Sequence, residues 1–145
     1  MLMTNDLSQL TFEQIKIGQK KEFCVTITES LVNDFAKLSG DYNPLHMDNE
    51  YAKTTKFNNR VVHGMLLASF LSRMTGMYLP GKNALYLSQS LEFHNPCFLD
   101  DEITISSTVT DKSNSTKIIK IESSIRNKNN KILLNGVGKI IIRDD

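Results

Sequence analysis

Side chains suited to proton transfer crowd into one short stretch, Gly40-Asp41-Tyr42-Asn43-Pro44-Leu45-His46-Met47-Asp48. A carboxylate and an imidazole held close together can bind a water, take its proton and return a proton elsewhere. The same residue types build ordinary turns, because Asp and Asn side chains bond their own backbone, so the stretch alone does not choose between the two. A second feature is Gly64, which follows His63 and opens the run Met65-Leu66-Leu67-Ala68-Ser69-Phe70-Leu71-Ser72. If that run is a helix, Gly64 stands at its mouth, where unpaired N–H groups and the positive dipole end favour an oxyanion or a carbonyl oxygen. A glycine there equally serves two backbones that pack closely. His63 is a candidate for orienting a substrate, or else a partly buried histidine with its bonds satisfied. Ser69 and Ser72 are placed on the helix interior, where serines usually bond the carbonyl a turn earlier. Met65, Met74 and Met77 are core candidates that would also suit an acyl-chain tunnel.

The run after Arg60 carries no Lys, Arg, Asp or Glu before Arg73, and it falls far short of the ~20 apolar residues of a membrane span. It predicts a central helix from about Gly64 to Met77 that is apolar all round and wrapped by the rest of the chain. Upstream, Glu22 to Ile27 reads as a strand. Thr28 then caps a helix in which Leu31, Val32, Phe35 and Leu38 recur at helical spacing until Gly40 stops it. Pro44 keeps Asn43 out of the helical region, so 40–48 reads as a loop, and Asp48 caps a short helix to about Thr54. After the turn Leu79-Pro80-Gly81-Lys82 come segments that read as strands, at about 84–94, 102–111, 117–126 and 131–142. Their short connections predict an antiparallel meander, and the alternation at Leu85/Leu87 and Ile103/Ile105 predicts one buried face. The expected architecture is α+β, an antiparallel sheet wrapped around a long central helix. One sheet cannot cover such a helix on every side, so a second copy is expected to close it as a homodimer.

The 145 residues predict a single domain, 1–145, with 1–10 a loose N-terminal arm. With 17 basic and 16 acidic residues dispersed along the chain, there is no basic stripe for nucleic acid and no polybasic patch for a membrane surface. No basic segment precedes an apolar run at the N-terminus, so no secretory leader is expected. Cys24 and Cys97 lie far apart and read as reduced thiols of a cytoplasmic protein. Two Cys and three His at these spacings do not make a zinc site, and no metal is expected.

Taken together, the motifs carry a resemblance. Ser39-Gly40-Asp41-Tyr42-Asn43-Pro44-Leu45-His46 matches the D-x-N-P-x-H motif of the (R)-specific enoyl-CoA hydratases, the MaoC-like branch of the hot-dog fold. Arg60-Val61-Val62-His63-Gly64-Met65-Leu66 resembles the start of that family's central helix. Leu79-Pro80-Gly81 and Ser88-Gln89-Ser90-Leu91-Glu92-Phe93 through Pro96 resemble its following segments. The similarity runs from about Phe12 to Ile142 and is greatest to the short bacterial enzymes that feed polyhydroxyalkanoate synthesis. It implies that Asp41 and His46 share the water that adds to trans-2-enoyl-CoA, giving (R)-3-hydroxyacyl-CoA in fatty acid metabolism. It implies that the Gly64 N–H polarises the thioester oxygen, that Asn43 fixes the loop and His46, and that Ser72 and His63 support the site. No cofactor is implied, since the CoA thioester is itself the substrate, and sites of this kind lie at a dimer interface. The resemblance also admits a dehydratase acting on carrier-protein-bound 3-hydroxyacyl chains, or a non-catalytic acyl-CoA-binding hot-dog protein. A hot-dog thioesterase would place an acidic residue on the central helix, and Val61 to Ser72 holds none.

Overall fold

In the computed structural model, which describes residues 6–145, an antiparallel sheet curls against one long helix. The chain runs β1 (Lys20–Thr26), α1 (Glu29–Ser39), α2 (Pro44–Met47), α3 (Asn49–Lys53), α4 (Gly64–Arg73), β2 (Ala84–Gln89), β3 (Glu92–Phe93), β4 (Glu102–Ser113), β5 (Ile118–Asn127) and β6 (Ile132–Ile142). Strand order across the sheet is β1-β4-β5-β6-β2, with β3 also paired to β6. The core lies between sheet and helix. Ile103, Ile105 and Val109 of β4 alternate inward with Ile119, Ile121 and Ile125 of β5, and all lie under Leu66, Leu67, Leu71 and Met74.

Local sequence explains most boundaries. The Thr28 hydroxyl accepts the Leu31 N–H to start α1, and Gly40, at φ 80°, ends it in the left-handed region that glycine enters without cost. Asp48 accepts the N–H groups of Glu50 and Tyr51 at the start of α3. Within 40–48, where a plain loop is expected, Pro44–Met47 closes one helical turn. Asn43 caps it, and Pro44 occupies the first position, where its missing N–H costs nothing.

The structure departs from the sequence reading in definite places. Regular α-helix ends at Arg73, and Met74–Tyr78 forms a wider π-helical turn. There the Leu79 N–H reaches back to the Met74 carbonyl, while the Thr75 carbonyl takes the N–H of Gly81. The expected strand 84–94 is broken at Ser90, whose N–H and hydroxyl engage Val137. β4, β5 and β6 form a meander, but β2 lies beside β6 instead of β4. The connection between β3 and β4 crosses beneath the start of α4, where Val62 N–H bonds the Cys97 carbonyl. β2 is therefore an edge strand, and Leu85 and Leu87 are exposed, not buried. Met1 to Asn5 of the N-terminal arm lie outside the described residues. From Ser8 on the arm is tied down, with backbone bonds from Ser8 to Met77 and Lys82 and from Leu10 to Pro80. The central helix is not apolar on every side either. Met65, Ser69 and Ser72 form an exposed face opposite the sheet, and Ser69 bonds the Leu66 carbonyl.

Candidate active site

The 41–46 loop is held by side chains that each bond the backbone a few residues away. Ser39 Oγ donates to the Phe35 carbonyl and accepts from Asp41 N–H. Asp41 Oδ1 accepts from Asn43 N–H, and Asn43 Oδ1 accepts from Leu45 N–H. Such bonds fix the loop up to the single turn of α2, which Asn43 caps. They leave Asp41 Oδ2 to face two imidazoles: His46 Nε2 at 4.0 Å and His63 Nε2 at 4.0 Å.

The two histidines are bonded in opposite senses. His46 Nδ1 lies 2.6 Å from the Val61 carbonyl, which can only accept, so Nδ1 carries a proton and Nε2 faces Asp41. His63 Nε2 lies 3.0 Å from the Asp41 carbonyl and must donate to it, which leaves the Nδ1 lone pair buried and unpartnered. His63 is 1% exposed, and its ring packs edge-on to Phe35 and 4.1 Å from His46. Burial pushes its pKa below the ordinary imidazole value, so it stays neutral. His63 is also the residue preceding α4. Its bond to Asp41 thus ties the helix mouth to the acid–base loop.

Gly64 begins α4, and among the described residues no acceptor bonds its N–H or that of Met65. A Cβ at Gly64 would sit 2.7 Å from the Phe93 ring. A side chain here would have to displace the exposed Phe93 ring, and the glycine leaves a bare backbone donor at the positive end of the helix. Ser72 makes no hydrogen bond to this group among the described residues. It stands eight residues along α4, about 12 Å of helical rise, and lines an apolar cleft of about 370 Å³ with Phe35, Met65, Ser69, Tyr86 and Leu91.

Arg60 is a residue that sequence reasoning missed. It reads as part of a basic, Asn-rich link, and nothing in its neighbours announces burial. In the fold it is 4% exposed, with Nε donating to the His46 carbonyl at 2.6 Å and Nη1 to Glu29 at 2.9 Å. Val61 N–H bonds the Leu45 carbonyl. His46 is therefore clamped through its backbone and its ring by two consecutive residues.

Among the described residues, Asp41, His46 and His63 form the one group of three whose ligand-type atoms lie within 4.8 Å of one another. His63 Nε2 is committed as a donor to Asp41, and its Nδ1 is sealed in protein. Two ligand atoms then remain, fewer than the three a catalytic metal takes from protein. The arrangement suits a bound water between an acid and an imidazole, beside a backbone donor.

Residues 12–131 match the family model described as MaoC like domain. The chain is 45% identical over 109 residues to an (R)-specific enoyl-CoA hydratase of Rhodospirillum rubrum, covering 75% of this chain and 76% of that one. Among solved structures it superposes on an (R)-hydratase from A. caviae involved in PHA biosynthesis, with TM-score 0.88 and 37% identity over 90% of this chain and 99% of that one. It also superposes on an R-hydratase from Pseudomonas aeruginosa in its unliganded form, with TM-score 0.91 and 31% identity over 96% and 89%.

Proposed function

The chain belongs to the MaoC-like family, and from that premise we propose that it is a hydro-lyase adding water to trans-2-enoyl-CoA to give (R)-3-hydroxyacyl-CoA. The observation that carries this reading is the facing of Asp41 Oδ2 and His46 Nε2 across 4.0 Å beside the mouth of α4. The gap is too long for a direct hydrogen bond, and one water oxygen can bridge it. Both groups accept, so the bridging water donates a hydrogen to each and turns its lone pair towards the substrate.

The steps balance on these groups. The water oxygen bonds C3, and the π pair of the C2–C3 double bond moves towards the thioester carbonyl. The Gly64 N–H meets the negative charge that develops on the thioester oxygen, a contribution of about 3 kcal/mol for a well-placed donor. Asp41 takes the water proton while His46 holds the water, and the pair returns one proton to C2, so both residues end in their starting state. Water and proton arrive from one face, which is syn addition. Asn43 and His63 hold the loop and the helix mouth in register. Ser72 supports the acyl chain, away from the acid–base pair. No metal or other cofactor enters these steps.

The same reading extends to assembly and location. The edge strand β2 presents Leu85, Tyr86 and Leu87 beside the open face of α4 with Met65, and Phe93 is exposed near Gly64. An apolar unpaired edge invites pairing, and a two-fold partner is its simplest cover, so the working unit is a homodimer. No helix among the described residues is long and apolar enough to cross a membrane, and Cys24 and Cys97 are free thiols. These features support a cytoplasmic enzyme, and the likeness to a hydratase of PHA biosynthesis supports a supply role for that polymer.

The test is direct. Purified protein is mixed with trans-2-butenoyl-CoA, the enoyl absorbance is followed, and product chirality is determined. Loss of the enoyl signal with (R)-3-hydroxybutanoyl-CoA as product supports the proposal. Release of free thiol, or no reaction, contradicts it.

A further inference from the structure

The apolar cleft begins beside the acid–base loop and runs down α4. Phe35, which packs on His63, and Met65, which follows Gly64, line its start. Ser69 and Ser72 lie further along, and Met65 to Ser72 is about 10 Å of helical rise. An acyl chain whose thioester oxygen meets the Gly64 N–H is led into this cleft, tail first.

Tyr86, Gln89 and Thr75 form a hydrogen-bonded chain at the far end. Thr75, 3% exposed, donates to the Tyr86 hydroxyl at 3.1 Å. Tyr86 donates to Gln89 Oε1 at 2.8 Å, and Gln89 Nε2 donates to the Ser90 carbonyl at 2.9 Å. The backbone is shaped around this chain. Residues three apart on a regular strand point to opposite faces, but a bulge between Tyr86 and Ser88 pairs Tyr86 with Ile140 and Gln89 with Gly138, which share a face of β6. A Cβ on Gly138 would lie 2.7 Å from Gln89 Oε1 and 3.3 Å from the Tyr86 ring, and one on Gly136 would lie 2.9 Å from Gln89 Nε2. Two bare positions on β6 thus make room for Tyr86 and Gln89.

We infer that the Tyr86 ring, pinned by Thr75 and Gln89, is the end wall of the acyl-tail cleft and limits the enzyme to short acyl chains. The inference rests on the hydratase reading for the identity of the tail. A wall held at its tip by a donor on one side and an acceptor on the other yields less to a longer chain than a free aromatic ring does. Thr75 lies outside the lining and acts through Tyr86, whereas Tyr86 and Gln89 both line the cleft.

The experiment is equilibrium binding of butanoyl-, hexanoyl- and decanoyl-CoA, saturated thioesters that cannot be hydrated, to the full chain and to Tyr86→Ala, Tyr86→Phe and Thr75→Val. The full chain should bind decanoyl-CoA on the order of tenfold more weakly than butanoyl-CoA, and Tyr86→Ala should erase that preference. Tyr86→Phe and Thr75→Val, which keep the ring and remove its pins, should shift the ratio in the same direction by less, and they decide the matter if the alanine variant does not fold. Equal binding of the long and short thioesters by the full chain, or an unchanged ratio in the variants, overturns the wall. Hydration of trans-2-butenoyl-CoA is measured separately. Hydration without a length ratio sinks the wall alone, whereas a length ratio without hydration sinks the reaction alone.

Discussion

The loop that carries Asp41 and His46 and the cleft that runs down α4 share a border at Phe35, yet they hold their shapes by different means. The loop is fixed by short-range polar bonds, each from a side chain to backbone only a few residues away, with Arg60, Val61 and His63 as its distant clamps. The cleft is made by packing between elements far apart in the chain: α1, α4 and the edge strand β2. A site built the first way tolerates little movement of its polar atoms, because general acid–base transfer needs contact distances. A site built the second way accepts a range of side chains at the cost of selectivity. Changes in the loop should therefore act on turnover, and changes along α4 on which substrate is bound.

The largest effect is expected where the loop's chemistry is removed. Asp41→Asn and His46→Gln should each lose hydration by about a thousandfold, the scale of general acid–base catalysis. Their thermal melting should stay close to wild type, since Asp41 is exposed and His46 only partly buried. Steady-state kinetics and melting curves check this, and near-normal turnover in either variant breaks the division between loop and cleft.

Removing the clamp should do less. In Arg60→Met the His46 carbonyl loses its donor, and a ring displaced by about 1 Å can cost on the order of a hundredfold in rate. The loss should appear in kcat with little change in KM, because Arg60 lies outside the cleft. A change confined to KM would show that Arg60 acts on binding.

Gly64→Ala sits at the border of the two regions. Its Cβ would meet the Phe93 ring at 2.7 Å, and overpacking of this kind costs about 1–3 kcal/mol. Denaturant unfolding should show that loss, and Phe93→Leu in the same chain should recover part of it. No recovery would mean that the backbone, not the ring, demands glycine.

The smallest effect is the pH dependence of stability that His63 brings. Its folded pKa lies below the unfolded value of about 6.5 because burial disfavours the charged ring. Below pH ~6.5 the unfolded chain binds a proton that the folded chain does not, so this contribution to stability is full above that value and declines as pH falls. His63→Gln should flatten the slope below pH ~6.5, measured by unfolding at a series of pH values. A slope unchanged by the substitution would assign the effect to another group.

The loop was largely legible in the sequence for the reason that makes it rigid: its bonds are local. Thr28, Gly40, Asn43, Pro44 and Asp48 each act within a turn of their own position, so their roles follow from residue type and neighbours. The strands β4, β5 and β6 were legible because Ile103 and Ile105 alternate strictly with polar residues. What depends on distant partners was not. Leu85 and Leu87 alternate as well as Ile103 and Ile105 do, but β2 pairs with β6 at the sheet edge and leaves them exposed. The burial of Arg60 follows from its pairing with Glu29 of α1. The sequence predicts a helix to about Met77, whereas it widens after Arg73, with Leu79 N–H on the Met74 carbonyl and Gly81 N–H on the Thr75 carbonyl.

The central claim is that one water, held between Asp41 and His46, supplies both the hydroxyl at C3 and the proton path to C2. Hydration of trans-2-butenoyl-CoA in D2O tests it most directly, with the configuration at C2 and C3 of the product read by NMR. A single diastereomer, R at C3 and with deuterium delivered to the same face as the hydroxyl, is the result this geometry predicts. Deuterium on the opposite face, or scrambled between the two, would contradict it.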